Sequence, residues 1–133
     1  MPRWIPETAI RSIHTELLAE HGGLDGPVDD DMLGATLARP QQLEAYSDPP
    51  ASLFQYAAAY GFGFAKNHCF TDGNKRICLA AIDVFLQMNG YELVAEEAEA
   101  AIIIEGLAAG DMTEDELVHW IETNTTALGT SGR

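Results

Sequence analysis

The sequence is poor in cysteine, in basic residues and in long apolar runs, and each shortage narrows what the protein does. Cys69 and Cys78 are its only cysteines. Their spacing fits no zinc pattern, and two thiols are too few to staple a fold, so both are expected to be reduced, structural groups. No apolar run approaches the roughly 20 residues of a membrane span. The opening Met-Pro-Arg-Trp-Ile-Pro lacks the basic-then-apolar layout of a secretory leader, which makes the cytoplasm the expected compartment. Only seven of 133 residues are Lys or Arg against 21 Asp or Glu, a formal net charge of −14. Such a chain is not built to grip a phosphate backbone over a broad surface, so neither nucleic acid nor membrane is expected as a partner. Yet three of the seven cations, Lys66, Lys75 and Arg76, fall within one short segment. On an acidic chain that placement suggests a pocket for a small anion.

What is present reads as one globular domain: 47% hydrophobic and 21% charged residues in a length that buries a single core. The apolar spacing predicts helix after helix, with no convincing strand pair, hence an all-α fold. Pro6 suits a first helical turn, and Ile10, Ile13, Leu17 and Leu18 follow a helical period until Gly22 and Gly23 stop it. Asp29, Asp30 and Asp31 mark another helix start, and Pro40 is expected to end that helix, leaving Gln41 to Pro50 as a connector. Ser52 to Lys66 forms the next helix, with Gly61 and Gly63 allowing close approach of a neighbour. After a loop over Asn67 to Asp72, a central helix is expected over about 74–89, apolar on nearly every side. Two further helices follow over Ala95–Ala108 and Thr113–Thr123, the last opened by a Thr113/Glu116 capping box. The domain is expected to span 1–125, with a disordered tail over 126–133. Ile102 to Ile104 and Trp120 read as core.

The stretch from His68 to Arg76 carries the chemistry. The first amides of a helix lack internal partners and the peptide dipoles make that end positive. Gly73, just before the helix, lets a bound group approach the backbone, so a phosphate would sit there readily. Lys75 and Arg76 add positive side chains, Arg76 with a fork matched to phosphate oxygens, and Asn74 offers an amide donor. Asp72 would repel a phosphate unless a magnesium ion lay between them, as Mg²⁺ binds through one or two carboxylates plus substrate phosphates. His68 accepts a proton near neutral pH, as a general base must. Singly, each feature has an ordinary reading as a turn, cap or structural residue. Together they make a phosphoryl- or nucleotidyl-transfer site.

That segment, His68-Cys-Phe-Thr-Asp-Gly-Asn-Lys-Arg76, resembles the signature of the Fic/Doc family, His-x-Phe-x-(Asp/Glu)-Gly-Asn-x-Arg, and more narrowly that of the Doc (death-on-curing) toxins, which end Asn-Lys-Arg. The similarity runs from Arg3 to about Thr125 and includes Gly22 and Gly23, the stretch from Leu37 to Pro40, the approach from Lys66 to His68, and Phe85 to Gly90. The resemblance implies a compact helical bundle with ATP and Mg²⁺ at the site. It implies that His68 is the general base, Phe70 a core anchor, Asp72 the Mg²⁺ ligand, and Gly73, Asn74, Lys75 and Arg76 the phosphate-binding group. Gln41 to Pro50 aligns with the family's target-docking flap, and Arg39 before it reads as a surface ion pair.

Two departures from the AMP-transferring Fic pattern are visible. Cys69 replaces the usual proline, and Lys75 replaces the second glycine of Gly-Asn-Gly-Arg, crowding the nest for an α-phosphate. Doc-type proteins carry this lysine and are kinases that present the γ-phosphate to the base, with a translation elongation factor as target and a Phd-like antitoxin as partner. The resemblance therefore implies a kinase toxin. AMP transfer to a protein hydroxyl and a catalytically silent binding module remain the competing readings. Many Fic proteins also carry an inhibitory Ser/Thr-x-x-x-Glu-Gly/Asn element. The nearest match, Ser12 to Glu16, is followed by Leu17, so Glu16 is read as a solvated helix residue. His14, His21 and His119 are scattered along the chain and suggest no metal site.

Overall fold

The computed structural model of the chain describes residues 2–129. Among them run α1 (Glu7–His21), α2 (Asp30–Tyr46), α3 (Leu53–Asn67), α4 (Asn74–Met88), β1 (Tyr91–Leu93), α5 (Glu97–Ala109), α6 (Glu114–Thr123) and β2 (Thr125–Ala127). The helical class and the position of the apolar helix after the motif follow the expectation. Local chemistry sets most boundaries. Ser52 and Thr113 each form a complete capping box, with Gln55 and Glu116 respectively, and Asp29 caps α2 by accepting from the Met32 amide.

The core is the seam between α3 and α4, against which α2, α5 and α6 pack. Gly61 explains how closely the central pair lies: a Cβ there would stand 2.5 Å from Cδ1 of Ile82. Gly63 does the same toward α2, where a Cβ would meet Cγ2 of Thr36 at 2.9 Å. Trp4 packs on Tyr56 and Phe85, and Tyr60 packs on Phe85. The segment before α1 is tied down by the Ile5 amide donating to Tyr60 Oη and by a reciprocal pair between the Arg3 backbone and the Asn89 side chain.

Four expectations are corrected. Pro40 does not end α2; the helix runs on to Tyr46, so the connector shortens from Gln41–Pro50 to the residues after Tyr46. A proline inside a helix costs about 3 kcal/mol through its missing amide, but Pro40, Leu37 and Leu33 are buried and Leu43 packs on the same core, which offsets it. Of the three consecutive isoleucines, Ile104 is buried while Ile102 is 72% exposed, as a 3.6-residue period requires of neighbours on one helix. A strand pair exists: β1 and β2 are antiparallel, with Tyr91 opposite Ala127 and Leu93 opposite Thr125. Thr126 and Ala127 are therefore ordered by that pairing rather than part of a tail, and residues 130–133 of the expected tail lie outside the described residues.

Candidate active site

The motif loop between α3 and α4 is held from several sides. Asn67 donates to Thr36 Oγ1, and the buried Cys69 thiol lies 3.4 Å from the same hydroxyl. The Cys69 carbonyl accepts from the Asp29 amide. Both backbone groups of Phe70 are bonded by the Asn74 side chain, its Oδ1 accepting from the Phe70 amide and its Nδ2 donating to the Phe70 carbonyl. Thr71 donates to the Pro27 carbonyl. Asp72 accepts from the amides of Leu24 and Gly73.

His68 is the exception. It caps α3 in the left-handed region at φ 47°, ψ 54°, where a non-glycine residue is uncommon and strained. Its imidazole is exposed and, among the described residues, no hydrogen bond or ion pair engages it. It lines a groove of about 1130 Å³ together with Asp72, Gly73, Lys75, Arg76 and, on the facing helix, Glu105. Small-molecule sites typically run roughly 300–1,000 Å³, so the groove has room for a nucleotide and part of a protein segment.

Opposite His68 the first turn of α4 opens into the same groove. Gly73 precedes it at φ 80° with no side-chain cap, so the leading amides of α4 are left for an external acceptor. Gly73 is favoured there by its positive φ, and a Cβ would come only into van der Waals contact with His14 Nε2, at 3.4 Å. The Asn74 side chain is spent on Phe70, so what Asn74 offers an anion is its backbone amide, not the side-chain donor expected from the sequence. Lys75 Nζ stands 2.8 Å from Glu105 Oε2 on α5. Arg76 makes only a long 3.4 Å contact to the Gly22 carbonyl, and no carboxylate pairs with it among the described residues. Lys66 is not part of this group; its ammonium lies over the Phe62 ring.

Asp72 is solvent-facing and firmly ionised. The amides of Leu24 and Gly73, helped by the nearby charges of Arg76 and His14, hold its carboxyl below the ordinary carboxylate range. Each carboxylate oxygen accepts one amide and keeps a lone-pair site for another partner. No cluster of three or more metal-ligating side chains occurs among the described residues. A single ionised carboxylate beside an anion nest fits Mg²⁺ shared with substrate phosphates. Gly23, at φ 132°, clears space for it: a Cβ there would sit 3.0 Å from Asp72 Oδ2.

His14 is the residue the sequence reading missed. It is 6% exposed, stacks on Phe70 with centroids 3.7 Å apart, and bonds the Asp72 carbonyl at 2.7 Å. The signal was its place on the apolar face of α1 beside Ile10 and Leu17. Glu16, on the outer face, is exposed. Arg39 pairs with Glu114 at 2.6 Å, the surface ion pair expected of it. Both cysteines are free and buried, and no helix is long and apolar enough to cross a membrane among the described residues.

Comparison with known proteins places the sequence in a family. Residues 4–86 match the model of the Fic/DOC family. The chain is 33% identical over 108 residues to "Protein kinase doc" of Escherichia phage P1, covering 81% of this chain and 83% of that protein. It is 41% identical over 68 residues to "Toxin Doc" of Mycolicibacterium smegmatis, covering 51% of this chain and 52% of that protein.

Proposed function

The chain belongs to the Fic/Doc family, and from that premise we propose that it is a Doc-like toxin kinase of the cytoplasm, which transfers the γ-phosphate of ATP to a hydroxyl side chain of a translation elongation factor. The observation that carries the reading is the unengaged imidazole of His68, in a loop whose other side chains are tied down, sharing one groove with the uncapped start of α4. His68 takes the proton of the target hydroxyl as its oxygen attacks the γ-phosphorus. The new P–O bond replaces the bond to ADP, which leaves. The amides of Asn74 and Lys75, with the Lys75 and Arg76 side chains, bind the phosphates and stabilise the charge that builds on them, while Gly73 keeps the approach to them free of a side chain. Asp72 would hold Mg²⁺, which would supply charge neutralisation of the polyphosphate.

One observation favours the AMP-transferring alternative. Lys75 is drawn to Glu105, which lessens the crowding that disfavours an α-phosphate at the nest, and Gly73 keeps the Fic form of the loop. A silent binding module has no such support, since His68, Asp72 and Arg76 are all present at the groove. Incubating the purified protein with bacterial lysate and ATP labelled at either phosphate decides among them. Label from the γ-position in an elongation factor is expected. Label from the α-position establishes AMP transfer, and no label establishes a silent module.

Control is proposed to come from a Phd-like antitoxin acting in trans. Arg76 has no carboxylate partner among the described residues, and Glu16 is exposed on the outer side of α1. Strong activation by Glu16→Ala, with no inhibition by the neighbouring gene's product, would show that control is internal.

A further inference from the structure

We propose that His14 is a positioning residue for the metal-bearing carboxylate, acting through one peptide plane. This rests on Asp72 as the Mg²⁺ ligand of the proposed reaction. The Asp72 carbonyl oxygen is an acceptor only, so at 2.7 Å the His14 Nε2 must carry the proton and donate. In a trans peptide the C=O and the following N–H point in opposite directions. Fixing the Asp72 carbonyl toward α1 therefore fixes the Gly73 N–H away from it, and that N–H is the donor that holds Asp72 Oδ1 at 2.8 Å. A chain of two hydrogen bonds thus runs from a buried ring on α1, through the 72–73 peptide, to the carboxylate.

The same ring fixes the other end of the loop. It stacks on Phe70 with the ring planes 13° from parallel, while the Asn74 side chain clamps the Phe70 backbone. Gly73 packs against the same ring, close enough that a Cβ would be in van der Waals contact with it. Asp72 Oδ2 is set independently by the Leu24 amide. Losing the His14 donor therefore frees the 72–73 peptide and one carboxylate oxygen, not the whole loop. A histidine that merely filled core space would be replaceable by any ring of similar size, which separates the two roles.

The test compares His14→Phe, which keeps the stacked ring and loses the donor, with His14→Gln, which keeps a donor and loses the ring. Three quantities are measured on each: thermal unfolding, binding of Mn²⁺ in the presence of ATP by electron paramagnetic resonance, and the Mg²⁺ dependence of transfer. Outer hydrogen-bond partners of metal ligands are typically worth about 10- to 100-fold in metal affinity. A folded His14→Phe protein is expected to bind Mn²⁺ about 10-fold or more weakly, with the loss in transfer largely restored at high Mg²⁺, and His14→Gln is expected to recover part of the affinity. Wild-type Mn²⁺ affinity in folded His14→Phe overturns the proposal. Should that variant not fold, the wild type still decides: long-range ¹H–¹⁵N spectra must show the Nε2–H tautomer of His14, and the Nδ1–H tautomer overturns it. A wild type that binds Mn²⁺ and ATP normally but transfers no phosphate sinks the kinase reading alone, and the metal-affinity comparison still reads out.

Discussion

The ammonium of Lys75, in the first turn of α4, lies 2.8 Å from the carboxylate of Glu105 on α5. The pair spans the groove that His68 lines, so a lysine proposed to bind phosphate is held by a carboxylate that would compete with phosphate for it. Both partners are more than half exposed, and exposed pairs are worth about 0–1 kcal/mol. Glu105→Gln should therefore tighten ATP binding by up to about 5-fold at low salt, with the gain shrinking as salt screens the charge. Calorimetric titration at two ionic strengths reads this directly. Weaker ATP binding by Glu105→Gln would mean that the glutamate orients the lysine rather than restraining it.

His68 offers a case where stability and activity should move in opposite directions. Its left-handed backbone at φ 47° costs a non-glycine residue about 1–2 kcal/mol, and among the described residues its side chain has no hydrogen-bond or ion-pair partner to lose. His68→Gly should unfold at the same temperature as wild type or higher, while transfer falls by about 10²–10⁴-fold. His68→Ala should lose transfer equally without the gain in stability. Retained transfer in either folded variant would remove His68 as the base.

Asp72 links metal use to acid stability. Its carboxyl is held below the ordinary carboxylate range, chiefly because the Leu24 and Gly73 amides bind the ionised form. A depressed folded pKa stabilises the fold above the unfolded pKa, and this contribution is lost as pH falls through the folded one. The stability gap between wild type and Asp72→Asn should thus be present at pH 7 and shrink as the pH is lowered below about 4. The same variant should lose the Mg²⁺ dependence of nucleotide binding. Urea unfolding at pH 7 and pH 3, beside Mg²⁺ titrations, measures both. An unchanged response to Mg²⁺ would remove the metal role.

The two thiols should be inert in the folded protein. Burial pushes the Cys78 thiol up to about 12, with its Sγ donating to the Gly61 carbonyl, and burial raises Cys69 as well. The thiolate is the reactive form. An aromatic disulfide reagent at pH 8 should release almost nothing from native protein and two equivalents after denaturation. Rapid modification of Cys69 would show that the motif loop opens in solution.

Where a structural signal is contained in a few consecutive residues, it was legible. The capping box at Thr113 and the glycine stop after α1 each marked an element because hydrogen bonds within one turn decide them, and the nearly all-round apolar surface from Ile77 to Met88 marked the central helix. The motif from His68 to Arg76 was legible as a neighbourhood for the same reason: loop, glycine and helix start are contiguous, so His68 and the uncapped start of α4 are brought to one groove by local geometry.

Only the tertiary structure decided the rest, through contacts between residues far apart in the chain. Pro40 signals a helix end locally, but burial against α3 outweighs the lost hydrogen bond. Strands of three residues carry too little alternation to be read, and β1 finds β2 only because α5 and α6 return the chain to it. The Asn74 side chain, free for a ligand on paper, turns back to clamp Phe70. Whether Lys75 faces a phosphate or Glu105 depends on where α5 docks. His14, a solitary histidine in an amphipathic helix, becomes part of the site only when α1 lays it against Phe70 and the Asp72 carbonyl. Local hydrogen bonding thus set the elements and the motif, while packing between distant segments set what each site residue is free to do.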